Sequence, residues 1–369
     1  MKLRHLIPTV LMGAGTVHAQ SNVTLYGLID TGISYVTNAS GGSQVLEQSG
    51  VMRGNRWGLK GDEDLGNGLK AVFVLENGFA LENGAILQGG AEFGRQAYVG
   101  LENAYGRLTF GRQTDFAFDY LGAFYSSGVY NTAYAFHLGD IDRLSGQRVD
   151  SAIKFSSKDF NGFKFGAMYA FGDPGPITST SSTGRAVSFG ATYRHGAFSA
   201  GAVYTEVNNR LMPLSSYFGV TSLFGQSIGT INAQTGVVTA KLVRVDHTRE
   251  FGGGMSYNWN HLTLLGLVTN TSIKVGQQSA VFGSYEVTGS YQFSPSLFVS
   301  GSYAYQTFAG RKYGEIAATV DQFLSKRTDI YATVVSMRGY SGTDVAIQSL
   351  TTSTTNSQTV FRVGMRHLF

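Results

Sequence analysis

Apolar and polar residues alternate with a period of two along most of this chain. The pattern is cleanest between Val281 and Phe293. There Val281, Gly283, Tyr285, Val287, Gly289, Tyr291 and Phe293 fall on one face, and Ser284, Glu286, Thr288, Ser290 and Gln292 on the other. Successive side chains of a strand point to opposite faces, so this segment reads as a strand with one apolar and one polar face. The same split recurs in Phe163, Phe165, Ala167 and Tyr169 against Lys164, Gly166 and Met168, and in Val187, Phe189, Ala191 and Tyr193 against Ser188, Gly190 and Thr192. Sixteen strands are predicted, beginning near Val23, Arg53, Leu69, Phe93, Arg107, Arg148, Phe163, Arg185, Ala197, His247, His261, Ala280, Ser296, Lys312, Arg327 and Ser357. An even count lets a sheet close with both termini at one end.

A soluble sandwich also alternates, and two further features separate the readings. Aromatics gather at the ends of the apolar faces, as at Tyr291 with Phe293 and Tyr303 with Tyr305, where amphipathic rings favour a lipid-water boundary. Connections alternate in length as well. Short turns at 62–68, 103–106, 159–162, 195–196, 258–260, 294–295 and 325–326 are separated by longer segments that include 173–184, 208–246 and 341–356. Lipid offers no partners to backbone N–H and C=O groups, so a sheet within it has no free edge and the last strand pairs with the first. The expected fold is all-β: a 16-stranded antiparallel transmembrane β-barrel with short periplasmic turns and long external loops.

One of the two longest stretches without alternation, 112–148, exceeds the length of an ordinary connection, about 4 to 6 residues. It begins and ends beside arginines, carries Asp115, Asp119, Asp140 and Asp142, and is rich in aromatics from Phe116 through Phe136, a composition that opposes disorder. The expectation is a third loop folded inward across the lumen as a constriction.

Composition fits this picture. Lys2 and Arg4 precede an apolar run from Leu6 to Val17, and Val17-His18-Ala19 has the small-x-small pattern of a cleavage site. Residues 1–19 therefore read as a secretory signal peptide, and 20–369 as a single barrel domain. After it no run approaches the roughly 20 apolar residues of a transmembrane helix. Forty-nine glycines, 45 Phe plus Tyr and five prolines suit strands and tight turns. With no cysteine, an exported chain is held without disulfides. Removing Lys2 and Arg4 lowers the formal charge from +4 to about +2, a balance too slight to argue for nucleic acid, and none is expected as a partner.

Enzymatic chemistry finds no constellation here. No G-x-S-x-G elbow, H-E-x-x-H pair or phosphate-binding loop occurs, and His137, His195, His247, His261 and His367 lack metal-ligand spacing. Asp62, Asp64 and Gly66 faintly resemble a calcium loop, but Phe73 stands where the bidentate Glu belongs. No cofactor or metal is expected.

The alternation gives facing directions to the basic residues. Trp57 and Leu59 outside turn Arg56 and Lys60 toward the lumen; Ile153 and Phe155 outside turn Arg148, Asp150 and Lys154 inward. Arg95 has two readings: Tyr98 as a girdle residue puts it inside, whereas lipid-facing Val99 and Leu101 put it outside. Arg112 at the loop's start is a further candidate. Guanidinium groups stay charged and present several donors, so a ring of them draws anions into a narrow passage. The acids of 112–148 would supply the opposing side of a transverse field.

Five stretches resemble the general porins of the bacterial outer membrane, in particular the trimeric 16-stranded porins of β-proteobacteria. They are Val23-Thr24-Leu25-Tyr26-Gly27; Arg56-Trp57-Gly58-Leu59-Lys60-Gly61 with Glu63-Asp64-Leu65-Gly66; Gly94-Arg95-Gln96-Ala97-Tyr98-Val99-Gly100-Leu101; Leu324-Ser325-Lys326-Arg327-Thr328-Asp329-Ile330-Tyr331; and Gly364-Met365-Arg366-His367-Leu368-Phe369. The likeness spans nearly all of 20–369. It implies a homotrimer of water-filled barrels in outer-membrane lipid and lipopolysaccharide, each passing small hydrophilic solutes and inorganic ions with an anion preference. It also implies Arg95 in the pore and Phe369 as the assembly signal for barrel insertion. The Pro-Glu-Phe-Gly-Gly-like segment of many relatives' constriction loops is absent, so no motif assigns the acidic side. Two rivals stand beside this reading: a barrel enzyme of the outer rim, and an adhesin or receptor acting through 208–246 and 341–356.

Overall fold

The computed structural model describes residues 21–172, 184–231, 238–340 and 344–369; the proposed signal at 1–19 and most of the 173–184 segment lie outside them. The barrel staves are β1 (Ser21–Ala39), β2 in two pieces (Gly42–Ser49 and Arg56–Gly66), β3 (Leu69–Gly78), β4 (Gln96–Glu102), β5 (Gly106–Thr114), β6 (Arg148–Ser157), β7 (Phe163–Ala170) and β8 (Ala186–His195). They continue as β9 (Phe198–Met212), β10 (Val243–Trp259), β11 (Leu262–Val275), β12 (Gln278–Ser294), β13 (Leu297–Phe308), β14 (Arg311–Phe323), β15 (Thr328–Gly339) and β16 (Ser357–Leu368). Seventeen strands share one sheet, but both pieces of β2 pair with β1, the outer piece at Thr31–Ala39 and the inner at Ser21–Leu28, so they form one stave and the staves number sixteen. All neighbours are antiparallel, and the sheet closes where β1 pairs with β16 from Leu28↔Leu368 to Val36↔Val360.

The alternation in the sequence becomes the wall. Val281, Tyr285, Val287, Tyr291 and Phe293 are exposed on the outside while Ser284, Glu286, Thr288 and Ser290 are buried within. Trp259, Phe163, Tyr193 and Tyr291 are exposed near the end that carries the termini, the pattern of an aromatic girdle.

Three features differ from the sequence expectation. The predicted second strand omitted its outer half, because the Asp30 carboxylate accepts from the Met52 amide (2.6 Å) and the Asn55 side chain accepts from the Asp30 amide (2.6 Å). These contacts pull 50–55 out of the ladder and interrupt the alternation. At the loop end, three connections are two-residue turns, Ser40-Gly41, Gly276-Gln277 and Ala309-Gly310. Left-handed backbone at Ala309 (φ 47°) and Gly310 (φ 82°) matches the twist of the flanking strands, so only some external connections are long. The lumen is also not polar throughout. In its outer half, inward-facing Val36, Ile273, Phe282, Phe308, Val335 and Met337 pack with residues from 115–147, 213–242 and 344–356 in one buried apolar cluster.

Candidate functional site

The segment 115–147 lies inside the barrel, as its contacts with far staves show. It descends through a π-helical turn (Ala117–Leu121), a short α-helix (Ser126–Val129) and 3-10 turns at Ala133–Ala135 and Leu138–Asp140. Phe116, Leu121 and Phe124 pack against Val203 and Leu267 of the wall. From there the loop makes polar contacts around the rest of the ring. The Ala133 amide donates to the Val51 carbonyl (2.7 Å), Ser34 and the Tyr134 hydroxyl share a hydrogen bond (2.8 Å), and Thr319 donates to Asn131 Oδ1 (2.8 Å). The Leu138 amide donates to Gln306 Oε1 (2.8 Å).

Arg53 makes the densest of these contacts. Its guanidinium donates to the carbonyls of Ser127 (2.9 Å), Gly128 (3.1 Å), Val129 (2.7 Å) and Asn131 (3.0 Å), besides that of Met52 (2.6 Å). Burial, and then the neighbouring Arg366 and Arg56, lower its pKa to about 10, so it remains a cation at neutral pH. Sequence reading placed Arg53 at the start of a strand and missed this role; no local pattern marks a side chain that acts on a segment more than 70 residues away.

On the opposite flank His137 is fully buried, with Nδ1 2.5 Å from Asp142 Oδ2 and Nε2 3.3 Å from Glu286 Oε2. Glu286 also accepts from the Ser126 amide (2.7 Å) and hydroxyl (3.1 Å), and Thr269 donates to Asp142 (2.7 Å). Lack of metal-ligand spacing said nothing about His137 here, although Glu286 on the polar face of the clearest strand was a visible inward acid.

The basic residues gather on the β2–β6 side. The row Tyr26–Gly58–Glu76 faces inward, since Leu25 beside it is exposed outside. Arg95 Nε lies 2.7 Å from Glu76 Oε1 and Arg56 Nε 3.9 Å from Glu76 Oε2, while Tyr26 donates to Glu76 (3.0 Å). This resolves the two readings of Arg95: its head group is inside, in a berth left by Gly54 and Gly78, where a Cβ on Gly54 would meet its Nη1 at 2.9 Å. Arg148 joins the group by donating to the Arg95 carbonyl (3.0 Å). Lys60 sits deeper, its Nζ 5.2 Å from the Tyr26 ring centre.

Other predicted residues are placed differently. The row Leu25–Leu59–Leu75–Ala97–Arg112 is an outward row, so Arg112 stands at the loop's root, bonded to Asp150 and to the Gly94 carbonyl (2.8 Å), apart from the Arg56 group. The parity that turns Lys154 inward does not extend to Arg148 and Asp150, because the ladder slips between Gly111 and Gln113 and Ser151 adopts φ 50°. A bulge of this kind re-aims the side chains beyond it, and Val149, not Arg148, packs with the loop's apolar residues.

The four acids serve the loop itself. Asp115 is buried in an ion pair with Arg143 (2.5 Å), and Asp142 is buried beside His137. Asp140, where burial pushes the carboxyl up, accepts from the Ser145 amide (2.9 Å) and from Gln147 (2.8 Å). Asp119 is the partly exposed one, bonded to Lys154 and to Thr114 (2.7 Å). None of the four stands as a free charge opposite the arginines: taking an isolated carboxylate out of water is costly, and each one has a partner, Asp115, Asp140 and Asp142 within the loop and Asp119 on the wall at Lys154. At the chain's end Phe369 extends the seam, donating to the Gly27 carbonyl (3.1 Å) and accepting from its amide (3.0 Å).

Several known proteins resemble this closed antiparallel barrel. Residues 9–340 match the family described as Gram-negative porin. An outer membrane porin protein of Bordetella pertussis is 30% identical over the full length of both chains, and outer membrane porin protein 32 of Delftia acidovorans is 29% identical, again covering both completely. Among solved structures, the anion-selective porin from Comamonas acidovorans aligns with a TM-score of 0.76 at 25% identity, covering 95% of this chain and 100% of that one. The trimer form of OmpT from Vibrio cholerae aligns at 0.68 with 14% identity, over 95% and 99%, a likeness of fold. The chain belongs to the Gram-negative porins, channel-forming barrels of the outer membrane.

Proposed function

We propose that this porin passes small hydrophilic solutes and inorganic ions by diffusion, prefers anions, and works as a homotrimer. The observation that carries the preference is the group of inward Arg56 and Arg95, which have Glu76 as their close acidic partner, with Arg148 joined to them through the Arg95 carbonyl, while the loop's acids are held in their own contacts. The segment 115–147 acts as the constriction that brings solutes near these cations. Lys60 extends the cationic wall below, and Asp119 with Lys154 forms a neutral pair under the loop. The anion-selective Comamonas relative and the trimeric Vibrio barrel support selectivity and assembly respectively.

Reversal potentials in a KCl gradient across a planar bilayer test this. One charge 4 Å from an ion contributes about 1 kcal/mol in bulk water and more where the dielectric falls, so each arginine replaced by Ala is expected to lower the chloride-to-potassium ratio at least about fivefold. The preference is also expected to shrink as salt rises to about 1 M, where the screening length falls to roughly 3 Å. An unchanged ratio in the Arg56, Arg95 and Arg148 triple alanine variant overturns the assignment.

A further inference from the structure

We propose that His137 is a titratable clamp, a positioning residue that holds the inner loop against the far wall while doubly protonated and lets it lift when a proton is lost. The geometry is specific. Each ring nitrogen faces a carboxylate: Nδ1 is hydrogen-bonded to Asp142 on the loop at 2.5 Å, and Nε2 lies 3.3 Å from Glu286 on β12 as a charge contact without hydrogen-bond geometry. An imidazolium can donate from both nitrogens, whereas a neutral ring can donate from only one. The Tyr125 ring lies over the imidazole with centroids 4.7 Å apart, and its hydroxyl accepts from the His137 amide (2.7 Å).

Acids from four elements line the pocket around His137 and Asp142, while β11 presents Thr269 and β13 Gln306. The loop contributes Asp142 and Asp140, β10 Glu250, β12 Glu286 and β14 Glu315, while the one loop arginine nearby, Arg143, is taken by Asp115. Both Glu250 carboxyl oxygens, Glu315 Oε2 and Asp142 Oδ1 are buried without a hydrogen-bond partner among the described residues, and a deprotonated ring leaves the Asp142 and Glu286 carboxylates with no cation between them. Burial by itself lowers the His137 pKa, but Asp142 and Glu286 outweigh it and hold it well above the ordinary value. A raised pKa means that the contact is complete below the ordinary histidine range and is lost as pH rises through the shifted value. Nothing comparable acts at Arg53, so release is expected on the His137 side while the Arg53 side stays attached.

This inference rests on the loop being the constriction, and the experiment separates the two. Single-channel conductance of the full chain is recorded in planar bilayers from about pH 6 to about pH 9, below the range in which Arg53 loses its charge. The unmodified chain is expected to step to higher conductance above the ordinary histidine range. His137→Gln is expected to show the higher conductance throughout, with no step. Glu286→Gln, which keeps the shape but removes one anion, is expected to move the midpoint toward neutral pH, and serves where His137→Gln does not assemble. A flat profile in the unmodified chain, or the same step at the same midpoint in these variants, overturns the clamp. Failure to form channels at all overturns the reading of the protein as a passage instead.

Discussion

At the scale of single residues, the structure separates side chains that face the passage from those that hold the loop beside it. Arg53 belongs to the second group. Hydrogen bonds to a charged donor contribute about 1.5–3 kcal/mol each and do not add fully, so Arg53→Ala is expected to weaken loop docking by about 2–4 kcal/mol. Exchange of the Ala133 amide, bonded to Val51, should quicken roughly a hundredfold while strand amides keep their rates. Arg53→Lys is expected to fall between, because an ammonium lacks the planar fork that reaches several carbonyls at once. Equal exchange in all three proteins would remove Arg53 from the account. Legibility at this scale followed chemistry. Arg56 and Lys60 could be placed from Trp57 and Leu59 because that piece of β2 alternates without interruption. Arg148 could not, since the slip at Gly111 and Ser151 has no signature in residue type, and the buried states of Asp115, Asp140 and Asp142 depend on partners that only the folded loop supplies.

At the scale of elements, the long connections behave as internal parts of the barrel. The short helix Leu214–Phe218 sits in the mouth with the Phe218 ring stacked on Phe308 at 3.9 Å and edged by Phe282 at 6.3 Å. Tyr313 donates to the Phe218 carbonyl (3.3 Å). Truncating a buried Phe costs about 3–5 kcal/mol, so Phe218→Ala is expected to free 213–228 from the mouth without opening the barrel. Trypsin cleavage after Lys241, which is exposed, should accelerate at least tenfold, and an unchanged rate would show that the helix is held by something other than this stack. The strands themselves were legible because lipid on one side and the lumen on the other impose a strict period of two. Loops obey no period, so their lengths were visible and their destinations were not. The apolar inner faces of Phe282 and Phe308 were hidden for a related reason: they break the polar-in rule only because 213–228 and 115–147 come down to cover them.

At the scale of the whole molecule, closure was the part most fully written in the sequence. A sheet in lipid has no tolerable edge, and the alternating segment at the very end of the chain had the first strand as its partner; the structure joins them over nine residue pairs. The seam ends where the Phe369 ring covers Gly27, so closely that a Cβ there would lie 2.2 Å from the ring's Cζ. Glycine is required at this point because the terminal ring takes the space a side chain would fill. Overpacking costs about 1–3 kcal/mol, so Gly27→Val is expected to displace Phe369, lose the paired bonds between their backbones and loosen the seam by about 2 kcal/mol. For a chain of this size that lowers the unfolding temperature by roughly 3 °C, readable as earlier conversion of the folded to the unfolded band when samples are heated before electrophoresis. Phe369→Ala alone gives up the ring's cover of the seam but leaves Gly27 unstrained. Because the two positions share one space, the double variant is expected to be less damaged than the sum of the singles, a coupling that residues out of contact do not show. Additive losses would place the ring elsewhere in the assembled barrel. Loss of folded protein in Phe369→Ala at the stage of membrane insertion, with normal stability of whatever does insert, would instead assign the terminal ring to assembly, the role that the likeness to other porins implies.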